Sequence, residues 1–152
     1  MSTSNRGSDL RLGRYSETGQ IYLLTSVVHD RLPLFSHWRA GRLVVNEFRR
    51  VQEQEIADSL AWVVMPDHFH WLVTLRKGSL GMLMRKVKSR SALSLMRLGH
   101  TPQQVWQKGY HDRAIRREED LQSVARYIVA NPLRAGLVQR IGDYPLWDAV
   151  WL

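Results

Sequence analysis

Between His68 and Leu75 the chain alternates with a period of two. Phe69, Trp71, Val73 and Leu75 are all large and apolar, while His68, His70, Leu72 and Thr74 occupy the intervening positions. Side chains alternate across a strand, so this segment must be a strand with one wholly apolar face. That face has to lie against helices. The two histidines then share the opposite face of the sheet. Two neutral imidazoles in that arrangement can grip a divalent ion.

The rest of the chain supplies partners for that strand. Residues 21–29 are rich in Leu, Val, Thr and Tyr and read as a strand. Ser36 is placed to cap a helix over about 36–55, with Val44, Phe48 and Val51 at helical spacing. Residues 60–65 read as a second strand, and Pro66-Asp67 as the turn that makes a hairpin with 68–75. A helix over 80–98 carries the stripe Leu80, Leu83, Val87 and Leu95 and stops at Gly99. Residues 105–116 read as a fourth strand, interrupted by Gly109.

Acidic Glu118, Glu119 and Asp120 suit the start of a third helix running to about Asn131, where Pro132 ends it. Residues 132–138 are expected to add one further turn. The order β-α-β-β-α-β plus a helix predicts an α+β domain of the ferredoxin-like split βαβ type. Its four-stranded antiparallel sheet would carry two helices on one face and the C-terminal helix near the open face.

In that last helix Leu121, Val124, Ala125 and Ile128 form the core stripe, while Asp120, Ser123, Tyr127 and Asn131 run along the other side. A Tyr and an Asn four apart share a helix face. One reading is a Tyr packed on the sheet and an Asn that caps the helix. The other makes Asn131 an oxygen ligand beside His68 and His70, with Tyr127 aimed at whatever the ion holds. A metal-polarised phosphodiester could then be attacked by the phenol, giving a covalent phosphotyrosine that keeps the bond energy for rejoining. A free phenol ionises near pH ~10, so this use needs a neighbouring cation or base, for which the ion, Lys88 and Arg113 are candidates.

Composition agrees with a polyanionic partner. The 152-residue chain has a formal net charge of +8 and six Trp and five Tyr, which suit phosphates and unpaired bases. There is no cysteine, so disulfides and thiolate metal sites are excluded. No apolar run reaches the length of a membrane span. Residues 1–7 lack the apolar core of a secretory signal, so a cytoplasmic location is expected. Residues 1–17 are expected to be a flexible tail and 18–152 a single domain.

Three segments resemble one family. They are Trp62-Val63-Val64-Met65-Pro66-Asp67-His68-Phe69-His70, Trp106-Gln107-Lys108-Gly109-Tyr110-His111-Asp112-Arg113, and Ala125-Arg126-Tyr127-Ile128-Val129-Ala130-Asn131-Pro132-Leu133-Arg134-Ala135-Gly136-Leu137-Val138. They look like the REP-associated tyrosine transposases, bacterial relatives of the single-tyrosine HUH endonucleases.

The resemblance implies Mg²⁺- or Mn²⁺-dependent cleavage and rejoining of single-stranded DNA at REP elements, short palindromes that fold into hairpins. It implies a 5′-phosphotyrosine intermediate, a monomer and a nucleoid-associated protein. His68 and His70 match the HUH histidines and Tyr127 the catalytic tyrosine. Asn131 stands where the wider family often has a Gln ligand.

Arg14, Arg85, Lys88, Arg90, Arg113, Arg116 and Arg134 are candidate DNA contacts. Rival readings are a non-catalytic REP-hairpin binder, a single-strand RNA binder on the bare sheet, and a nuclease that uses water in place of Tyr127.

Overall fold

The two-residue turn at Pro66-Asp67 joins β2 (Ala57–Met65) to β3 (His68–Leu75), with Met65 opposite His68. In this computed structural model, which describes residues 16–99 and 103–151, that hairpin is the centre of the sheet. β1 (Ile21–Val27) pairs with the free edge of β3, and β4 (His111–Ile115) pairs with β1. A short β5 (Trp147–Ala149) pairs with β2. All pairings are antiparallel, and the spatial order is β4-β1-β3-β2-β5.

Four helices complete the described residues: α1 (Trp38–Glu53), α2 (Leu80–Leu98), α3 (Glu118–Val129) and the single turn α4 (Asn131–Arg134). None is long and apolar enough to cross a membrane.

The alternation in β3 separates two apolar clusters. Phe69, Trp71, Val73 and Leu75 join Tyr22, Leu24, Trp62 and Val64 against α1 and α2. Phe48 of α1 stacks on Trp71 at 4.3 Å between centroids and meets Phe69 edge-on at 5.2 Å. The Trp71 indole donates to Ser59 Oγ at 2.8 Å, so its one polar atom is not wasted in the core. Each of these large side chains stabilises the fold by roughly 1.5–3 kcal/mol through burial.

On the other face, Ala125, Ile128 and Val129 of α3 cover Ala61, Val63, Met65 and Leu72. That face is therefore half covered, on its β2 side, and not bare.

The sheet has five strands where four are expected. β5 is too short to display an alternating pattern of its own and is defined by its partner: Ala149, Asp148 and Trp147 lie opposite Ala61, Trp62 and Val63. Just before it, the Leu146 carbonyl accepts from Val64 N at 2.9 Å, and Tyr144 donates its hydroxyl to the Val64 carbonyl at 2.6 Å.

Other boundaries also shift. α1 begins at Trp38 with His37 as N-cap, because residues 34–36 form a tight 3₁₀ turn and leave Ser36 outside the helix. β4 is shorter than the expected strand. Residues 105–110 run instead as a strap that touches the sheet through a Val28–Trp106 bridge. α3 ends at Val129 and Asn131 opens the next turn, so Pro132 takes an early helical position, where its missing N–H costs nothing. α2 spans the expected residues, with Ser79 Oγ accepting from Met82 N and Gly99 at φ +89° stopping it.

The expected tail, 1–17, falls almost wholly outside the described residues. Its last part is anchored, since Ser16 Oγ accepts from Leu80 N at 3.0 Å.

Leu146 is buried against α1, where a Cβ added at Gly41 would run into its Cδ1. Gly41→Val should lower unfolding free energy by about 1–3 kcal/mol in urea melts. Leu146→Ala should cost about 2–5 kcal/mol. Combining them should recover part of the Gly41→Val loss; strict additivity would mean that the two positions do not press on each other.

Candidate active site

His68 and His70 lie where the alternation puts them, on the face away from α1 and α2, with ring centroids 4.9 Å apart and planes at 79°. Each ring is held through the same nitrogen. His68 Nδ1 donates to Asp67 Oδ1 at 2.7 Å, and Asp67 Oδ2 accepts from Arg31 Nη1 at 3.1 Å. A carboxylate only accepts, so the proton must sit on His68 Nδ1 and the lone pair on Nε2.

His70 Nδ1 lies 2.8 Å from Thr25 Oγ1, because Thr25 stands directly opposite it in the β1–β3 register. Among the described residues, Nε2 of neither ring has a hydrogen-bond partner.

The electrostatics favour a neutral His70. Burial, then the charges of His68 and Arg134, push His70 down to about 4 from an ordinary 6.5. Burial raises Asp67, but the hydrogen bonds from His68 and Arg31 and their charges outweigh it, leaving its carboxyl below the ordinary value. The pair is thus an ionised carboxylate supporting one ring and a desolvated, uncharged second ring.

Tyr127 lies on the solvent side of α3 and is 63% exposed, so it does not serve the core. The Arg134 guanidinium sits 3.8 Å from its ring centroid, and Arg134 Nη2 donates to the Tyr127 carbonyl at 2.7 Å. Arg134 is also close enough for its charge to act on His70. Its charge therefore bears on both the tyrosine ring and His70.

Asn131 lies on α4, past the end of α3. Its Nδ2 donates to the Ile128 carbonyl at 3.1 Å. An amide oxygen in that place would face a carbonyl oxygen, so Oδ1 is left over. Among the described residues no group of three or more His, Asp or Glu is disposed to hold a metal. Two imidazole nitrogens and an amide oxygen are ligand types that suit a divalent cation.

The candidate DNA contacts divide between the two faces. Arg113 sits on β4 opposite Leu23, on the histidine face, and Arg116 follows the same strand; both are exposed. Arg134 stacks on Tyr127. Arg85 and Arg90 lie on α2, behind the sheet. Arg90 Nε is 3.3 Å from the buried Glu47 Oε1, which Arg50 Nε reaches at the same distance. Lys88 Nζ donates to the carbonyls of Gln107 at 2.9 Å and Gly109 at 2.6 Å, fastening the strap. Arg14 lies outside the described residues.

Sequence reasoning missed Asp67 and Thr25 as supports of the two rings. Asp67 had a signal, an acidic residue in the turn beside His68. Thr25 had none before the strand register was known.

Comparison with known proteins identifies the family. Residues 18–131 match the family model for transposase IS200-like proteins. A REP-associated tyrosine transposase of Escherichia coli (strain K12) is 32% identical over 138 residues, covering 87% of this chain and 78% of that protein. A solved structure of a REP-associated tyrosine transposase bound to a REP hairpin superposes with a TM-score of 0.74 at 24% identity, covering 88% of this chain and 79% of that one. The chain belongs to the IS200-like transposase family and, within it, to the REP-associated tyrosine transposases.

Proposed function

We propose that this transposase cuts and rejoins single-stranded DNA beside REP-type hairpins through a covalent link to Tyr127. The observation that carries the reading is the pair of imidazoles held through Nδ1 by Asp67 and Thr25, with Arg134, whose guanidinium covers the exposed Tyr127, near enough for its charge to act on His70. The similar protein of known structure holds a REP hairpin, which supports that class of DNA as the partner.

His68 and His70 Nε2, with Asn131 Oδ1, would hold Mg²⁺ or Mn²⁺. The ion supplies charge that polarises the scissile phosphate and offsets the negative charge of the transition state. Tyr127 Oη attacks phosphorus. The Oη–P bond forms and the P–O3′ bond breaks. The phenol proton goes to solvent, and the departing 3′ oxygen takes one up. A 5′-phosphotyrosine and a free 3′-hydroxyl result.

Rejoining is the same exchange in reverse, by a 3′-hydroxyl on the phosphotyrosine. One phosphodiester replaces another, so no external energy source is required. Arg134 holds the Tyr127 ring by its stacked guanidinium and sets positive charge beside the reacting phosphate. Arg113 and Arg116 lie within reach of the same strand, while Arg14, Arg85, Lys88 and Arg90 are the further candidates for DNA contact.

In this reading the protein acts as a monomer. The substrate places the protein in the cytoplasm at the nucleoid.

Incubation with Mn²⁺ and a labelled single-stranded REP hairpin should give an adduct that survives a denaturing gel. Tyr127→Phe should abolish it, lowering cleavage by at least about 10³-fold, with hairpin binding changed less than about twofold. His68→Ala should lose metal-dependent cleavage as well. Cleavage that persists in Tyr127→Phe without an adduct would transfer the chemistry to water. Tight binding without cleavage in any divalent metal would leave a hairpin-binding protein.

Arg134→Gln should slow single-turnover adduct formation by about 10²–10³-fold, the scale of one lost charge-stabilising donor, and hairpin affinity should change far less. Arg134→Lys should restore part of the rate, since it keeps the charge and loses the planar stack. Equal losses in rate and affinity would make Arg134 a binding residue only.

A further inference from the structure

Along the sheet from His70 lies a groove of about 340 Å³, lined by Thr25, Val27, Gln107, Lys108, Tyr110 and His111. It adjoins the histidine pair directly. Thr25, which lines it, is the residue whose hydroxyl meets His70 Nδ1 at 2.8 Å. Val27 stands opposite His68 in the β1–β3 register. His111 stands opposite Thr25 in the β1–β4 register, so His70, Thr25 and His111 form a row across three strands on one face. At about 4.8 Å between strands the row is about 10 Å long, within the reach of a single nucleotide.

The far wall is a fixed part of the fold. Lys88 Nζ ties down two carbonyls of the strap, those of Gln107 and Gly109. Gln107 N donates to the Val27 carbonyl at 2.9 Å, and the buried Trp106 indole donates to Ser91 Oγ at 3.1 Å. Gly109, at φ +77°, lets the chain turn back into β4.

What this wall presents is polar. Among the described residues, the side chains of Gln107, Lys108 and His111 make no hydrogen bond or ion pair, and all three are exposed. None of the lining residues carries a carboxylate. A cationic ammonium, an amide, an imidazole and a phenol around one groove match a nucleotide: charge for phosphate, a donor and acceptor for a base edge, and rings for stacking.

We propose that this groove seats one unpaired nucleotide of the DNA strand, next to the bond broken at Tyr127, with Lys108 at its phosphate and His111 against its base. The assignment rests on reading the neighbouring site as one that acts on single-stranded DNA. It gives the strap a purpose, with Lys88 shaping the groove from behind.

Two measurements test it without requiring cleavage. REP hairpins bearing a short unpaired tail, with 5-iodouracil at each tail position in turn, are crosslinked to the unaltered protein, and the modified peptide is mapped. One tail position should crosslink within residues 107–111. Crosslinks confined to other segments would overturn the assignment.

Tailed and tailless hairpins are then bound in EDTA. Lys108→Ala/His111→Ala should weaken the tailed hairpin about tenfold, the worth of one stacked base, and leave the tailless one within about twofold. Equal weakening of both would also overturn it. If tail selectivity and the crosslink stand while no tyrosyl adduct forms, the groove is retained and the proposed strand transfer falls.

Discussion

β3 is the one strand hydrogen-bonded along both edges by long partners, β1 and β2, and its two faces have opposite jobs. One face carries Phe69, Trp71, Val73 and Leu75 into the aromatic core against α1. The other carries His68 and His70. A slip of one residue in its pairing would exchange the two sets. It would drive two imidazoles into a core with no partners, at a cost of about 1–3 kcal/mol for each uncompensated polar group, and expose two large aromatic rings. The packing of Phe48 on Trp71 and Phe69 therefore fixes where the histidines point. Stability and site geometry come from the same alternation.

That pairing also supplies the chemistry of the rings. His70 is partly buried between its neighbouring strands, and desolvation keeps it uncharged. A protonated imidazole cannot bind a cation, so burial and ligand capacity act in the same direction. His68 is held differently, by a carboxylate that is itself held by Arg31. Both routes leave Nε2 available. The tyrosine obeys the opposite requirement. It must meet a bulky polymer, so it stands on the exposed side of α3, and its order comes from a guanidinium across its ring and not from burial.

Much of this was legible in the sequence, because periodicity reports which face a residue occupies. The β2–β3 hairpin, the span of α2, the apolar stripe of α3 and the placing of the histidines opposite the core all follow from patterns several residues long. What was not legible depends on contacts between distant segments. β5 has three residues and gains its identity from the edge of β2. Residues 105–110 look strand-like because Val105 and Trp106 are apolar, yet those side chains serve the helix-side core while the backbone crosses the sheet edge. Thr25 becomes a support for His70 only once β1 is registered against β3. Lys88 and Arg90 read as phosphate ligands on charge alone, and the structure shows each of them engaged by a carbonyl or carboxylate partner.

The break after Val129 joins these points. An uninterrupted helix would have carried Asn131 and Arg134 onward along the axis of α3. Ala130, at φ −84° and ψ −1°, ends the regular ladder, and Pro132 makes the next turn start afresh. Arg134 thereby folds back far enough to donate to the Tyr127 carbonyl seven residues earlier and to cover its ring. Asn131 uses its amide nitrogen on the Ile128 carbonyl, one of those that the helix end leaves without an intrahelical donor, and so keeps its oxygen. The residue that ends the helix is thus also the reason that an amide oxygen, a guanidinium and a phenol are gathered at one helix end.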